Sequence, residues 1–355
     1  MDAGRSDGRL NIAGMGLTEL PKEVLRMYEY DPDSNTVWSE CVDLVRFNAA
    51  DNQLESLPNS AFPDAPLGAD EEGGVSNQFG GLEVLDLHGN KLAALPRGLR
   101  RLEHLTSLNL GRNKLSNIDI ITEIPNLREL RLGDNSIAQL PETISQLSNL
   151  EVLELNKNKL FDLPASLREL IHLRVLDVSN NQLKDLKVEM LAGLPLVDLF
   201  ASKNCLFGAL FPASISMPRL QNLDISCNDF DALSPSHEDP TELPNLQVLN
   251  ISFNRISALP DISSWTSLHT LLAEDNKLTE LPKGFTSLKS FRSANLTGND
   301  IKVLDPMISV MDQLETLTVV ANPLRDRKFL TMATEDIKSD LKARLEAPSF
   351  EGLAK

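Results

Sequence analysis

The sequence lacks any apolar run approaching the ~20 residues that a helix needs to cross a bilayer. It also lacks a secretory start, because Met1 to Asp7 is polar and no apolar segment follows. Both absences argue against a secreted or membrane-spanning protein. We therefore expect a soluble protein in the cytoplasm, or in the nucleus.

Cysteine is scarce, with only Cys41, Cys205 and Cys227 and no CxxC pair. This argues against a disulfide framework and against a thiolate zinc site. Basic residues are also few: 34 Lys and Arg face 51 Asp and Glu, for a net charge of −17. Such a chain is repelled by nucleic acid and by anionic lipid, so the charge favours a protein partner with basic residues.

Motifs for chemistry are missing as well. The chain contains no P-loop, GxSxG, HExxH or glycine-rich dinucleotide motif. Its five histidines are scattered along the chain without metal-ligand spacing. We therefore predict no catalytic residue, no metal site and no cofactor.

What the sequence does contain is a repeat. Its clearest copy is Leu82-Glu-Val-Leu-Asp-Leu-His-Gly-Asn-Lys-Leu92, and thirteen copies can be aligned along the chain. Each copy after the first carries an asparagine; these are Asn52, Asn90, Asn113, Asn135, Asn158, Asn181, Asn204, Asn228, Asn254, Asn276, Asn299 and Asn322. From Asn90 onward the intervals are 22 to 26 residues. The pattern matches the leucine-rich-repeat consensus.

Each position of the repeat has a physical reading. The Leu-x-Leu pair alternates with polar residues at period two, which predicts a short half-buried strand. The chain then turns away, and the asparagine can hydrogen-bond the backbone groups that the turn leaves buried. We read all twelve asparagines as structural residues rather than ligands.

The predicted fold is an α/β leucine-rich-repeat solenoid, a curved horseshoe. Its parallel β-sheet forms the concave face, and short α or 3-10 segments that follow Leu-x-x-Leu-Pro stretches lie on the convex face. Residues 1–325 form the array of thirteen repeats, interrupted by insertions near 28–40 and 59–80 that we expect to be mobile. Residues 326–355 form a C-terminal helix and tail; the helix is predicted to cap the last repeat, and the alternative is a partner-binding helix.

Two parts of the sequence resemble known families: the Leu-Pro repeats and the start of the chain. The repeats resemble the intracellular leucine-rich-repeat class that includes Scribble-type and Ras-group scaffolds. The stretches Gly8 to Pro21, Trp38-Ser-Glu and Val84 to Leu92 are similar to the leucine-rich repeat-containing protein 40 family. This resemblance implies a protein-binding role and supplies no catalytic residue.

The concave face is the predicted binding surface. Its central column, between the two core leucines of each strand, is mostly polar, and Phe200 and Leu272 are the exceptions. This apolar pair has acidic surroundings. It would suit a partner that presents an apolar side chain flanked by Lys or Arg. The candidate partner-binding residues are Phe200, Leu272, Phe253, Asp224, Asn250, Asp198, Glu274 and Arg131. Two alternatives stay open: Phe200 could only pack over its strand neighbours, and Arg131 could only pair with Glu154.

The function predicted from these features is a non-catalytic protein–protein interaction module or scaffold, and the chain is expected to be a monomer. The alternative is a regulatory subunit of a signalling enzyme, such as a phosphatase or small GTPase complex.

Overall fold

A computed structural model describes residues 2–28, 41–64, 78–211, 215–234 and 241–346. The chain divides into two compact units, Met1–Gln182 and Leu183–Lys355, here called unit 1 and unit 2. No helix in the described ranges is both long enough and apolar enough to span a bilayer.

Unit 1 contains seven strands, one from each of the first seven repeats. They are β1 (Arg9–Asn11), β2 (Arg46–Asn48), β3 (Val84–Asp86), β4 (Ser107–Asn109), β5 (Glu129–Arg131), β6 (Val152–Glu154) and β7 (Val175–Asp177). Its helices are α1 (Asp2–Asp7), α2 (Lys22–Leu25) and α3 (Asp119–Thr122), with 3-10 turns at Arg97–Arg101, Glu142–Gln146 and Ala165–Glu169.

Unit 2 begins its sheet with the eighth repeat. Its strands are β8 (Asp198–Phe200), β9 (Phe207–Ala209), β10 (Ile215–Ser216), β11 (Asn222–Asp224), β12 (Asp229–Ala232), β13 (Thr241–Glu242), β14 (Val248–Asn250), β15 (Thr270–Leu272), β16 (Ser293–Asn295) and β17 (Thr316–Thr318). Its helices are α4 (Val188–Leu191) and α5 (Thr334–Glu346), with 3-10 turns at Phe285–Ser287, Pro306–Val310 and Arg327–Leu330.

The repeat strands are parallel and lie in chain order within each unit. In unit 1 the order is β1 to β7; in unit 2 it is β8, β11, β14, β15, β16 and β17. Pairing is in register, so that Leu249 stands beside Leu223 and Leu271. The middle residue of each strand is buried and its two neighbours face outward, as period-two alternation requires. The leucine-rich-repeat solenoid predicted from the sequence, with thirteen parallel strands, is confirmed.

The asparagines form the ladder that the sequence predicts. The Asn158 amide nitrogen donates to Leu132 O of the preceding repeat at 2.9 Å and to Leu155 O of its own repeat at 3.0 Å. Its Oδ1 accepts from Ile137 N at 3.0 Å. Each of the other asparagines in the series also bonds the backbone, and the series ends where Met15 N donates to Asn52 Oδ1. Within each unit the ladder therefore ties neighbouring repeats together.

Leu-Pro stretches do start short turns of helix. Pro96, Pro141 and Pro164 each stand just before a 3-10 turn, in an extended conformation with φ between −71° and −69°. Proline suits this place because it fixes φ and has no N–H to leave unpaired. Not every copy follows the rule, since no helix comes after Pro58 or Pro260.

The insertion at 59–80 is anchored at both ends. Phe62 and Phe79 are buried and their ring centroids lie 5.3 Å apart, while Phe79 stacks on the strand residue Phe47 at 5.6 Å. The backbone of Phe62 passes so close to Gly98 that an added Cβ would lie 1.9 Å from its carbonyl oxygen. The expected mobile segment therefore does not include these anchors. Residues 65–77 and the linker 29–40 lie outside the described residues.

The C-terminal segment packs against the last repeat. Its helix α5 begins at Thr334, later than the sequence pattern suggests, after the separate 3-10 turn at Arg327–Leu330. Ile337 and Leu341 are buried, and the Thr334 hydroxyl accepts a hydrogen bond from Leu317 N of the edge strand β17 at 2.9 Å. The helix thus covers apolar surface and satisfies a backbone donor that an edge strand otherwise exposes.

We predict that the ladder carries much of the stability. Asn158→Ala removes both donors and the acceptor, so it should lower the free energy of unfolding by about 1–3 kcal/mol. Asn149→Ala is the matched control, because Asn149 is exposed and its one bond, to Pro125 O, is long at 3.4 Å. The measurement is denaturant unfolding followed by circular dichroism. Equal losses in the two variants would contradict a special role for Asn158.

We also predict that α5 acts as a cap. Ile337→Ala with Leu341→Ala should destabilise the end of unit 2, since each buried truncation costs about 2–5 kcal/mol. Hydrogen exchange in β17 should then accelerate, whereas Leu345→Ala, a change at a 45% exposed residue, should leave it unaltered. Unchanged exchange in the double variant would favour the alternative of a helix free to bind a partner.

Candidate protein-binding surface

The concave face of unit 2 is built from the outward-facing residues of its six repeat strands. The central column holds the third residue of each strand; in strand order these are Phe200, Asp224, Asn250, Leu272, Asn295 and Thr318. Because the strands pair in register, the side chains of this column stand beside one another. Phe200 and Leu272 are three strand spacings apart, roughly 14 Å. The structure thus places them in one column, as the sequence predicts.

Both apolar members of the column are partly exposed. Phe200 and Leu272 are half-buried, whereas the strand residues that point inward, such as Leu199 and Leu271, are 1% exposed or less. Phe200 therefore packs on its neighbours and also offers apolar surface to solvent. A side chain in this state can contribute to a contact without leaving the face.

Phe253 is the most exposed of the predicted apolar residues, with 48% of its surface accessible. It lies just past β14, immediately before the ladder residue Asn254. Its backbone has φ 57°, in the left-handed region, which is an outlier conformation for a bulky residue. Its N–H donates to Glu274 O at 2.7 Å, so the conformation is held by the neighbouring repeat. Phe253 is therefore both exposed and strained.

The left-handed conformation is a property of the repeat rather than of Phe253 alone. The residue before each ladder asparagine has positive φ; in unit 2 these residues are Lys203, Cys227, Phe253, Asp275, Gly298 and Ala321. We call this series the turn column. Glycine, asparagine and aspartate tolerate the conformation best, while other side chains add roughly 1–2 kcal/mol. Phe253 is the one aromatic member.

Carboxylates lie around the apolar residues, and two of them are held by neutral donors. Asp198 accepts a hydrogen bond from the Asn222 amide at 2.5 Å, and Glu274 accepts one from the Asn295 amide at 3.3 Å. Both donors are neutral. Among the residues that the structure describes, no Lys or Arg forms an ion pair with Asp198, Asp224 or Glu274. The face is therefore acidic around its apolar groups.

Two of the predicted contact residues also have a local structural role that the sequence analysis missed. Asp224 Oδ1 accepts from Ser226 N at 2.9 Å, and Asn250 Oδ1 accepts from Ser252 N at 3.1 Å. Such a bond to the backbone two residues on is an Asx turn. The recurrence of Asn and Asp in the central column was a readable signal for it. Among the described residues, no hydrogen bond engages the other polar atom of either side chain.

Arg131 belongs to unit 1 and is already paired. Its guanidinium lies 3.2 Å from Glu154 and 3.0 Å from Glu129. Partial burial by itself lowers the pKa of Arg131, but these two carboxylates outweigh it and raise the pKa above its ordinary value. The pairing with Glu154 that the sequence analysis kept as an alternative is present. A contact role for Arg131 stays a prediction.

Comparison with known families finds leucine-rich repeats in three stretches. Models described as leucine rich repeat match residues 101–121 and 125–183, and a two-copy model matches 244–290. None of the three describes a catalytic domain. The models are general, so the likeness to the Leu-Pro class and to leucine-rich repeat-containing protein 40 stays a prediction.

Individual relatives and solved structures agree on the fold. Podocan-like protein 1 of Mus musculus is 29% identical over 69% of this chain and 44% of its own length. The chain spans less than half the length of the curated relatives it matches. A leucine-rich-repeat protein of Leptospira interrogans is 25% identical, has a TM-score of 0.59 and is covered to 94%, as is this chain.

A second similar structure was solved as a complex. It is the ectodomain of the membrane receptor kinase GASSHO1/SCHENGEN3 from Arabidopsis thaliana in complex with CASPARIAN STRIP INTEGRITY FACTOR 2. The match covers 89% of this chain and 39% of that one, with a TM-score of 0.63 and 22% identity. At this identity the likeness shows the fold.

We predict that Phe253 costs stability through its backbone. Phe253→Gly and Phe253→Ala remove the same ring, but only Gly relieves the left-handed conformation, so the Gly variant should be more stable by about 1 kcal/mol. Val320 is the control, because it is 47% exposed and has no positive φ. There Val320→Ala should be more stable than Val320→Gly. Thermal melts of the four variants measure both differences. The same order at both sites would rule out strain at Phe253.

Proposed function

We propose that this leucine-rich-repeat protein is a non-catalytic interaction module that binds a protein partner on the concave face of unit 2. One observation carries the proposal. Phe253 is held exposed in a backbone conformation that disfavours it, at a position where Gly298 and Asp275 show that better-suited residues fit. Strain of this kind tends to accumulate at functional sites.

The apolar groups supply the anchor. Phe253 follows β14, and Leu272 lies on the adjacent strand β15, in register with Asn250. Phe200 lies two strands away from β14 in the same central column. Exposed aromatic side chains often mark binding sites, and truncating such an anchor typically costs ~2 kcal/mol or more of binding energy.

The charges select the partner. Asp198, Asp224 and Glu274 flank the anchor and are held by neutral donors rather than neutralised by cations. A partner that presents one apolar side chain with Lys or Arg beside it matches both features. Complementary charge of this sort steers association and adds specificity.

The finer points of the proposal rest on the sequence. A cytoplasmic or nuclear location and a monomeric state follow from composition and from the resemblance to intracellular scaffolds. A regulatory subunit of a phosphatase or small GTPase complex is the second candidate. It predicts that a purified complex contains one copy of the enzyme for each copy of this chain.

We predict that peptide selection will recover this chemistry. The full chain serves as bait for a random peptide library displayed on phage. Peptides with Phe, Leu, Ile or Met within two positions of Lys or Arg should be enriched. They should bind at least tenfold more weakly to the triple variant Phe200→Asn, Phe253→Asn, Leu272→Asn. The reason is that loss of the three apolar side chains together should cost more than ~1.4 kcal/mol of binding free energy, which corresponds to a factor of ten.

The triple variant should fold, since asparagine stands at the same repeat positions in other copies, namely Asn250, Asn295 and Asn180. Circular dichroism checks this. Phe207→Asn is the control, because Phe207 is 65% exposed but lies on β9, outside the repeat strands. The proposal would be contradicted if the enriched peptides lacked Lys and Arg, or if they bound the triple variant as tightly as the parent chain.

A further inference from the structure

Two arginines stand side by side at the start of unit 1. Arg9 on β1 is paired in register with Arg46 on β2, and both side chains are exposed. The residues between the outward positions, Leu10 and Phe47, are buried, so the arginines project from the opposite, concave face. Adjacent strands are about 4.8 Å apart, which brings the two cationic side chains together.

This arrangement is unfavourable for the free protein. Like charges directly opposite on neighbouring strands repel each other. The chain offers 51 carboxylate side chains against 34 basic ones. Even so, among the described residues neither Arg9 nor Arg46 forms an ion pair.

Other arginines of unit 1 show what the pair lacks. Arg100 bonds Asp64 and Glu123, Arg112 lies 3.4 Å from Asp51, Arg128 lies 3.3 Å from Glu151, and Arg131 has two carboxylate partners. These four arginines are therefore paired with carboxylates of the chain. Within the part of the chain that the structure describes, the guanidinium groups of Arg9 and Arg46 form no hydrogen bond.

The neighbouring polar groups are donors too. Asn11 and Asn48 follow the arginines on the same face, two residues further along each strand. Their Oδ1 atoms accept from Ala13 N at 3.0 Å and from Ala50 N at 2.9 Å. Within the described ranges their amide nitrogens have no protein acceptor. The oxygens are thus engaged locally, and four side chains present N–H groups to solvent.

On the next strand, the residue in register with Asn48 is an acceptor that already has local donors. Asp86, in register with Asn48 on β3, accepts hydrogen bonds from the His88 backbone at 3.1 Å and ring at 2.8 Å. Val84, in register with Arg46, is apolar and half-buried. The donor surface therefore consists of Arg9, Asn11, Arg46 and Asn48, with an apolar border.

We propose that Arg9 and Arg46 bind an oxyanion on an acidic segment of a partner protein, either a carboxylate or a phosphoryl group. The planar guanidinium offers two parallel N–H groups to such an anion, and two of them can clamp it from both sides. An anion between the arginines also removes their mutual repulsion. This site is separate from the apolar anchor of unit 2, and its ligand has the opposite charge.

The test uses the full chain and two fluorescent peptides. One is a glycine–serine peptide with three consecutive glutamates, and the other carries a single phosphoserine in their place. Anisotropy titrations at low salt should show binding of at least one peptide, and the tighter of the two identifies the anion. Arg9→Gln with Arg46→Gln should weaken binding about tenfold or more, as loss of charged hydrogen bonds does.

Matched variants separate the site from net charge. Arg168→Gln with Arg174→Gln makes the same charge change at two exposed arginines elsewhere in unit 1 and should alter affinity less than twofold. Arg9→Lys with Arg46→Lys keeps the charge but loses the planar fork, so binding should fall several-fold. Thermal melts without peptide should show the Gln pair as stable as the parent chain or more so. Equal loss in the control pair, or no binding beyond that of an uncharged glycine–serine peptide, would overturn the proposal.

Discussion

The structure depends on how the backbone is satisfied where each strand ends and the chain turns away. Strands of only three residues make few ladder bonds of their own, so the turn must supply the rest. The asparagine does this with two donors and one acceptor, as Asn158 shows by bonding Leu132, Leu155 and Ile137. Because one of these bonds reaches the preceding repeat, the same residue fixes both the turn and the stacking. The register of the repeat strands, and hence the columns on the concave face, follows from it.

This constraint has a local cost. Placing the asparagine correctly puts the residue before it into the left-handed region in all twelve copies that carry the asparagine. Stability in a solenoid is approximately a sum over repeats and their interfaces, so an unfavourable residue at one turn is tolerated when its neighbours are well packed. Lys157, Cys227 and Phe253 are examples of such residues. The turn column is consequently a place where the array can display a side chain that its backbone does not prefer, and Phe253 uses it.

Much of the fold was readable from the sequence because the leucines and the asparagine obey strict spacing. Thirteen strands and the ladder could be placed in this way, and helical spacing of apolar residues predicted the C-terminal helix, although it begins later, at Thr334. The left-handed turn column could not, since its residues share no side-chain chemistry; only the backbone reveals it. The Asx turns of Asp224 and Asn250 had a signal in the recurrent Asn and Asp, but that signal also fitted a binding face.

The arginine pair was readable in principle and was missed for a different reason. Arg9 and Arg46 are 37 residues apart, as are Met15 and Asn52, so aligning the first two copies places them together. The net charge of −17 is a sum over the whole chain, so it does not reveal a local pair of basic residues. Local pairing decides which charges remain available to a partner.

Neutral donors, rather than cations, hold carboxylates on the acidic face of unit 2. An arginine beside a carboxylate both orients it and cancels its field, as at Arg131 and Glu154. An asparagine amide orients the carboxylate equally well but leaves the charge intact, as at Asp198 with Asn222 and Glu274 with Asn295. The carboxylates are thus fixed in place before any partner arrives, which lowers the entropy lost on binding. For the basic partner proposed above, this field would also raise the rate of association. On a scaffold whose backbone is set by the ladder, an Asn in place of an Arg at one neighbouring position therefore orients a carboxylate without pairing it with a cation.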